Sequence, residues 1–173
     1  MATIGLFYGS DSGNTEKAAE KLQALLGEDR VQIHDVGDSE ISDLEEYEFL
    51  ILGIPTYDEG ELQSDWELFL EDILAVNLSN KKIALFGLGD QLGYGDWFLD
   101  AMGILHEKLV TMGATIVGEW PDTGYEYVAS KATTAAGKHF VGLALDDDTQ
   151  AELTDERLEQ WSEQIGRAFG MTD

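Results

Sequence analysis

The sequence predicts one α/β domain in which a five-stranded parallel sheet lies between two layers of helices. Its 173 residues are enough for a single domain with a sizeable core. Short apolar runs without polar alternation are typical of strands covered on both faces, and they alternate here with segments of helical period. Right-handed crossovers then place helices on both sides of the sheet. Five strands and about five helices favour the strand order 2-1-3-4-5. In sheets of this order, ligands bind at the carboxyl ends of the strands.

Five apolar segments are assigned to strands. The fifth strand is expected in two pieces, because the stretch from about 119 to 139 is rich in turn-forming residues and fits neither a helix nor a strand. We interpret that stretch as an insertion, since long irregular segments inside compact domains are usually functional. The strands are predicted at 4–8, 31–33, 49–54, 83–86, and 115–117 with 140–145.

Four apolar stripes at helical spacing lie between and after these strands. The first ends at Gly27, the second follows a capping box from Ser64 to Glu67, and the last begins behind acidic residues that suit a helix N-terminus. Their aromatic residues are interpreted as core, not as cofactor ligands. The stripes are Ala18, Leu22, Leu25 and Leu26; Trp66, Phe69, Leu70, Ile73 and Leu74; Phe98, Ala101, Leu105, Leu109 and Met112; and Leu158, Trp161, Ile165 and Phe169.

The composition restricts the partners. The 35 acidic and 10 basic residues give a net charge of -25, which argues against binding to nucleic acid or to an anionic membrane and favours basic partners. Solubility or a salty habitat could explain the acidity alone. Without cysteine, redox work needs a bound cofactor. We find no signal peptide and no apolar run of membrane-spanning length, so a cytoplasmic protein is expected. We also expect the protein to be a monomer.

The loop after the first strand reads Gly9-Ser-Asp-Ser-Gly-Asn-Thr15. It brings the hydroxyls of Ser10, Ser12 and Thr15 and several backbone amides to a helix N-terminus, an arrangement that suits an anion. Ordinary helix capping by serine and asparagine explains the local pattern equally well. The lysine of a nucleotide-triphosphate loop and the spacing of a GxGxxG dinucleotide motif are both absent, so the anion is interpreted as a monophosphate.

The loops after the third and fourth strands carry one exposed tyrosine each. Tyr57 lies in the turn from Pro55 to Ser64, and Tyr94 lies among four glycines between Gly87 and Asp96. The glycines allow the backbone to approach a flat ligand, and each tyrosine offers a ring face for stacking. Three such loops at the carboxyl ends of three strands together predict one ligand site.

These loops resemble those of the flavodoxin family, and of its long-chain branch in particular. The resemblance extends from the first strand to Phe169, and the segment from Trp120 to Lys138 followed by 140–146 is similar to the insertion that splits the fifth strand of long-chain members. It implies a flavodoxin-like three-layer sandwich. The matching motifs are Gly9-Ser-Asp-Ser-Gly-Asn-Thr15, Ile54-Pro-Thr-Tyr-Asp-Glu-Gly-Glu-Leu-Gln-Ser-Asp-Trp66 and Phe86-Gly-Leu-Gly-Asp-Gln-Leu-Gly-Tyr-Gly-Asp96.

The resemblance implies a non-covalently bound FMN. Tyr57 and Tyr94 would flank its two ring faces, with tyrosine at 57 where long-chain members usually carry tryptophan. The phosphate would be held by Ser10, Asp11, Ser12, Gly13, Asn14 and Thr15, with the carboxylate of Asp11 turned to solvent or to the backbone. The ribityl chain would meet Pro55, Thr56 and Asp146, the ring edge would meet backbone groups of Asp58, Glu59, Gly60, Gly89 and Asp90, and Leu88, Gly93 and Asp96 complete the predicted site.

The resemblance further implies a low-potential one-electron carrier without a catalytic side chain. The partners would be basic redox proteins such as a ferredoxin/flavodoxin-NADP reductase, together with acceptor oxidoreductases. Because neither Asp58 nor Glu59 is glycine, a positive φ in that turn would be strained. An FMN-dependent NAD(P)H:quinone oxidoreductase is the alternative. A response-regulator receiver is disfavoured, since the third strand ends Gly53-Ile-Pro-Thr-Tyr57 without a phosphoacceptor aspartate.

Overall fold

A computed structural model describes residues 3–73 and 75–171. The strands are β1 (Ile4–Tyr8), β2 (Val31–Asp35), β3 (Phe49–Tyr57), β4 (Glu61–Leu62), β5 (Lys82–Leu88), β6 (Thr115–Val117), β7 (Trp120–Pro121), β8 (His139–Phe140) and β9 (Leu143–Leu145). The main sheet has the parallel order β2-β1-β3-β5-β6, with β9 beside the far end of β5 and the short β4 antiparallel to β3. Because β4 is only a hairpin arm, this order is the predicted 2-1-3-4-5.

The fifth strand is divided, as the sequence predicts. β6 pairs with the first part of β5 and β9 with its last part, so Ala84 lies opposite Val117 and Phe86 lies opposite Leu143. The intervening chain leaves the sheet and forms the antiparallel pair β7–β8. Phe140 therefore belongs to this small hairpin and not to the fifth strand, which resumes only after Gly142.

The helices cover both faces of the sheet and create two cores. Alternation along β3 shows the division: Leu50, Leu52 and Ile54 pack into one core, and Ile51 packs into the other. All four are fully buried, which accounts for the unbroken apolar run in the sequence. The helices are α1 (Asn14–Leu26) and α4 (Thr154–Ala168) on one face, and α2 (Ser64–Ile73) and α3 (Asp100–Thr111) on the other.

The start of α2 differs from the prediction. The helix begins at Ser64, so the preceding residue, Gln63, stands at its cap and accepts a hydrogen bond from the backbone N–H of Trp66 through Oε1 (3.1 Å). The predicted capping box from Ser64 to Glu67 was therefore wrong, because the side chain that caps α2 belongs to Gln63. Leu74, the last residue of the predicted stripe, lies outside the described residues. The connection between β2 and β3 contains 3₁₀ turns at Val36–Asp38 and Ile41–Glu46.

No helix in the described part of the chain combines the length and the apolar character that crossing a bilayer requires.

Candidate functional site

A cavity of about 260 Å³ opens at the carboxyl end of the sheet, among the loops that follow β1, β3 and β5. Both predicted tyrosines line it, and so do residues from all three predicted loops. The structure thus brings together segments that are far apart in sequence. The lining residues are Ser12, Asn14, Thr15, Pro55, Thr56, Tyr57, Asp58, Leu88, Gly89, Asp90, Tyr94, Asp147 and Asp148.

The first loop forms a cradle of unpaired amides. Gly13, at the N-cap of α1, has a left-handed conformation with φ 91° and makes no side-chain capping bond. Ser10 Oγ accepts a hydrogen bond from the Gly13 N–H (2.9 Å) and so closes the loop upon itself. Within the described chain, the backbone N–H groups of Thr15 and Glu16 have no acceptor. Ordinary capping therefore does not explain the loop, whose free donors form the positive end of the α1 dipole.

The carboxylate of Asp11 points away from this cradle. Its Oδ1 accepts a hydrogen bond from Nε2 of the buried Gln63 (3.1 Å), and the same nitrogen donates to Asp65 (2.9 Å). The Asp11 backbone N–H in turn donates to the phenol oxygen of Tyr57 (3.2 Å). This hydrogen bond connects the second loop to the first. Burial raises the pKa of the Tyr57 hydroxyl.

The second loop is a tight hairpin between β3 and β4. Tyr57 pairs with Glu61, so only three residues make the turn. Asp58 has a positive φ of 46° and Gly60 one of 90°, the left-handed region that favours glycine. Aspartate tolerates this region better than most residues, yet it carries strain that glycine would not. The strained backbone at Asp58 agrees with the expectation drawn from the sequence.

Thr56 is held by the start of α3. Its Oγ1 accepts a hydrogen bond from the Ala101 backbone N–H (3.0 Å), one of the donors that a helix N-terminus leaves free. Leu99, the N-cap residue of α3, is fully buried and has a positive φ of 59°. The chain thus accepts backbone strain at Leu99 to bring α3 against the second loop.

The third loop is organised by Asp90. Its Oδ1 accepts hydrogen bonds from the N–H groups of Leu92 (3.1 Å) and Gly93 (2.7 Å), and its backbone oxygen accepts from Tyr94 (3.1 Å). A Cβ at Gly93 would overlap the Asp90 carboxylate, so any larger residue there would displace the side chain that organises the loop. Tyr94 is 43% exposed and leaves a ring face available.

Asp146 stands behind the cavity instead of lining it. The side chain is fully buried, and its oxygens accept hydrogen bonds from the backbone N–H (3.1 Å) and Nε2 (2.8 Å) of Gln91 and from the N–H groups of Asp148 (3.1 Å) and Thr149 (2.9 Å). Gln91 Oε1 also accepts from the Glu126 N–H. Asp146 therefore joins the third loop, the end of β9 and the insertion.

The remaining predicted residues shape the loops without lining the cavity. Ser10, Asp11 and Gly13 set the first loop, Glu59 and Gly60 complete the hairpin, Gly93 closes the third loop, and Asp96 is exposed in a 3₁₀ turn. Sequence reasoning missed Gln91, Asp147 and Asp148. The acidic run that follows the fifth strand, Asp146-Asp-Asp148, was the available signal for the last two.

The cavity wall is acidic. Asp58, Asp90, Asp147 and Asp148 all line it, and no lysine or arginine of the described chain does. Burial and the carboxylates of Asp90, Asp146 and Asp147 raise the pKa of Asp148. The arrangement suits a flat ligand whose anionic end is held by neutral hydroxyls and amides, while its other end lies between carboxylates and tyrosine rings.

Asp100 is a buried carboxyl next to the second loop. It is 3% exposed, its Oδ1 accepts a hydrogen bond from the Lys131 N–H (2.8 Å), and burial raises its pKa. A Cβ at Gly60 would lie 3.0 Å from Asp100 Oδ2, so this carboxyl contacts both the insertion and the hairpin.

The raised pKa of Asp100 predicts a pH-dependent stability. The folded protein favours the protonated acid, so this contribution is greatest at low pH and is lost as the pH rises through the folded pKa. We expect Asp100→Asn, which keeps the acceptor oxygen without the charge, to raise the free energy of unfolding of the FMN-free protein at pH 7. The gain should shrink toward pH 4 in urea unfolding. Asp96→Asn, an exposed control, should show no such trend; a loss of stability in Asp100→Asn at pH 7 would contradict the assignment.

Comparison with known proteins shows the family of this chain. The family model described as flavodoxin matches residues 6–161. The chain is 52% identical over 162 residues to Flavodoxin 2 of Escherichia coli (strain K12), covering 94% of both chains. It is 49% identical to a flavodoxin of Picosynechococcus, covering 99% of this chain and all of the other.

A solved structure shows the same fold. The crystal structure of Fusobacterium nucleatum flavodoxin bound to flavin mononucleotide superposes with a TM-score of 0.90 at 31% identity, covering 97% of this chain and 99% of that one. The resemblance seen in the loops therefore extends over nearly the whole described fold. The chain belongs to the flavodoxin family, and its length fits the long-chain branch.

Proposed function

We propose that this protein is a one-electron carrier that uses non-covalently bound FMN. The observation that carries the proposal is the meeting of an unpaired amide cradle and two tyrosines around one cavity. FMN has a phosphate for the cradle and a flat ring for the tyrosines, and it supplies the one-electron chemistry when bound. Flavodoxins are electron-transfer proteins and not enzymes, so no side chain is assigned a catalytic role.

The residues present fit FMN in position and in chemistry. The cradle, Ser10 to Thr15, would hold the phosphate through backbone N–H groups and hydroxyls, as helix N-termini do. Pro55 and Thr56 would lie along the ribityl chain, and backbone groups of Asp58, Glu59, Gly60, Gly89 and Asp90 would reach the ring edge. Asp146, fully committed to hydrogen bonds within the protein, would act on FMN through the loop it positions, and Asp147 and Asp148 would face the ligand.

The charge of the cavity supports a low redox potential. Adding an electron increases the negative charge of the ligand, and the carboxylates of Asp58, Asp90, Asp147 and Asp148 oppose that step by Coulomb repulsion. A lysine or arginine in the wall would act in the opposite direction. The potential of the bound FMN should consequently lie below that of free FMN.

One anaerobic titration with dithionite tests these statements together. The purified protein with added FMN should show a bound-flavin absorbance spectrum, take up electrons one at a time, and reach full reduction at a lower potential than free FMN. A protein that binds no FMN would overturn the proposal, and a raised potential would reject its electrostatic part. NAD(P)H with a quinone should give no turnover, which separates the carrier from the quinone reductase considered from the sequence.

The strain at Asp58 predicts a further redox effect. The peptide between Asp58 and Glu59 lies at the proposed ring edge, and a turn of this peptide during reduction would be easier with glycine at position 58. We expect Asp58→Gly to increase the fraction of one-electron-reduced protein at half reduction, measured by absorbance.

Asp58→Asn provides the matched control for this variant. It removes the same charge but keeps a side chain at the position that has the positive φ. Equal effects of the two substitutions would assign the change to charge and contradict the role of strain.

The physiological partners are proposed to be basic redox proteins, including a reductase. The net charge of -25 should steer encounter with a basic partner, and salt screens such steering. We expect the association rate constant with a basic reductase to fall several-fold between about 0.01 and 0.3 M salt in stopped-flow experiments. A rate constant indifferent to salt would show that the acidity serves solubility alone.

A further inference from the structure

The structure contains another cavity, which is lined by two arginines where the first is lined by four aspartates. It has a volume of about 480 Å³ and lies between α4 and the chain around β7. One wall is a single face of α4, where Arg157, Gln160, Gln164 and Arg167 recur at helical spacing. The opposite wall includes Trp120 and Thr123.

Arg157 is unusual among the charged side chains of this protein. It is only 8% exposed, and its guanidinium lies over the ring of Tyr125 with Cζ 4.2 Å from the ring centroid. Nη2 donates a hydrogen bond to Gln150 Oε1 (2.7 Å). Nη1 is buried and has no hydrogen-bond partner, the one such side-chain nitrogen or oxygen in the described residues.

A buried guanidinium nitrogen without an acceptor is costly. Charged donors lose more on desolvation than neutral ones, and native proteins pair them with a carboxylate, a carbonyl, water or a bound ion. No carboxylate forms an ion pair with Arg157: across the described chain, the single salt bridge joins Lys21 and Asp155 (2.6 Å). Nη1 therefore requires an acceptor that the surrounding protein does not provide.

The neighbouring groups restrict what that acceptor can be. Arg167 lines the same cavity ten residues further along α4, roughly 15 Å away along the helix axis, so it contributes positive potential and not a shared contact. Gln164 Nε2 donates to the Glu119 carbonyl (2.8 Å), and the exposed amide of Gln160 keeps one of its two N–H groups as an adaptable donor near the rim. Glu156 is the one acidic lining residue, and its Oε1 accepts from Gln160 (3.3 Å).

We infer that this cavity is a second anion-binding site, in which Arg157 Nη1 donates to a small oxyanion of the carboxylate or phosphate class. Because Nη1 is buried in the unliganded chain, the anion reaches it only after a small displacement of the cavity wall, but the guanidinium itself is already held by Tyr125 and Gln150. The indole of Trp120 at the opposite wall allows the anion to carry an apolar group. The site is separate from the proposed FMN cradle, with which it shares no lining residue.

The site also has a structural connection to the FMN cavity. Trp120 Nε1 donates to the Tyr125 hydroxyl (3.0 Å), which donates to the Ala144 carbonyl of β9 (2.6 Å). The backbone N–H of Gln150, the residue that pairs with Arg157, donates to the carbonyl of Asp146 (2.9 Å). Arg157 and Trp120 are thus linked, through Gln150 and Tyr125, to the chain that precedes the acidic wall of the first cavity.

Titration of the FMN-saturated protein tests the inference, because added FMN occupies the first anion site. Inorganic phosphate, acetate and chloride are added separately at constant ionic strength, and binding is followed by the NMR signals of the Arg157 guanidinium and the Trp120 indole. Saturable shifts with phosphate or with acetate, but not with chloride, are expected, and the comparison of the first two shows which oxyanion the site prefers.

Three variants give the inference its controls. Arg157→Gln should weaken binding at least tenfold. Gln160→Glu places a carboxylate at the exposed rim without touching the contacts of Arg157, and should weaken binding several-fold even if Arg157→Gln fails to fold. Arg30→Gln removes the same charge outside the cavity and should leave the affinity unchanged. Absence of saturable binding, or an affinity in Gln160→Glu equal to that of the unsubstituted protein, would contradict the inference. Arg157 would then only pack against Tyr125, with water as the acceptor for Nη1.

Discussion

Ser12→Asp is expected to abolish most of the affinity for FMN while leaving the fold intact. Ser12 is exposed at the mouth of the cradle and lines the cavity, so a carboxylate at this position would face the proposed phosphate. Repulsion between unit charges about 4 Å apart is about 4 kcal/mol at an effective dielectric constant of 20, and solvent exposure reduces it. A net loss of about 2 kcal/mol corresponds to a roughly thirtyfold weaker affinity.

The choice of ligand makes this prediction specific to the phosphate. Riboflavin has the same ring and ribityl chain without the phosphate, so its affinity should be nearly the same in Ser12→Asp and in the natural protein. Ser12→Asn serves as the uncharged control and should bind FMN almost normally. Fluorescence titration of FMN-free protein measures all these affinities. Equal losses for FMN and riboflavin would place the phosphate elsewhere and reject the assignment of the cradle.

Gly142→Ala should be the most destabilising of the single substitutions considered for this protein. Gly142 lies where the chain re-enters the sheet before β9, and a Cβ there would overlap the carbonyl oxygen of Leu85 and lie 2.7 Å from its carbonyl carbon. Leu85 belongs to the buried strand β5, whose backbone is fixed by neighbours on both sides. We expect a loss of about 3 kcal/mol in the free energy of unfolding, measured with denaturant on FMN-free protein.

A second glycine provides a control of opposite sign. Gly166 lies within α4, and a Cβ there would meet only Leu26 Cδ2, at 3.9 Å. Gly166→Ala should therefore stabilise the protein by about 0.5 to 1 kcal/mol, because alanine is the better helix former. If Gly142→Ala proved as harmless as Gly166→Ala, the close approach between the chain at 142 and β5 would be wrong.

The sequence predicted the sheet well because its strands are buried on both faces. Runs such as Phe49–Ile54 have no other stable environment in a small domain, so burial alone identifies them. The division of the fifth strand was also predicted, because the turn-forming residues between its two parts fit neither the period of a helix nor that of a strand. The exact point of return was not predicted, since the run from Phe140 to Leu145 is apolar throughout and only the contact of Gly142 with β5 separates its two parts.

The meeting of the loops at one candidate site was predicted where local sequence determines it, and the residues that depend on distant partners were missed. The cradle and the two tyrosines follow from turn chemistry at strand ends, and all three loops meet at one cavity. Asp146 has the same local appearance as its neighbours, but hydrogen bonds to Gln91, 55 residues away, hold it in the interior. Gln63 likewise caps α2 and pairs with Asp11 across 52 positions. Such pairings depend on tertiary contacts that one sequence does not display.

The divided fifth strand has a consequence for the order of folding. β6 can join β5 soon after α3 forms, but β9 can do so only after the whole insertion has closed into a loop, which costs conformational entropy. Asp147 and Asp148, which complete the cavity wall, come directly after β9. We therefore expect the wall that Asp147 and Asp148 form to be the last part of the cavity to assemble during folding.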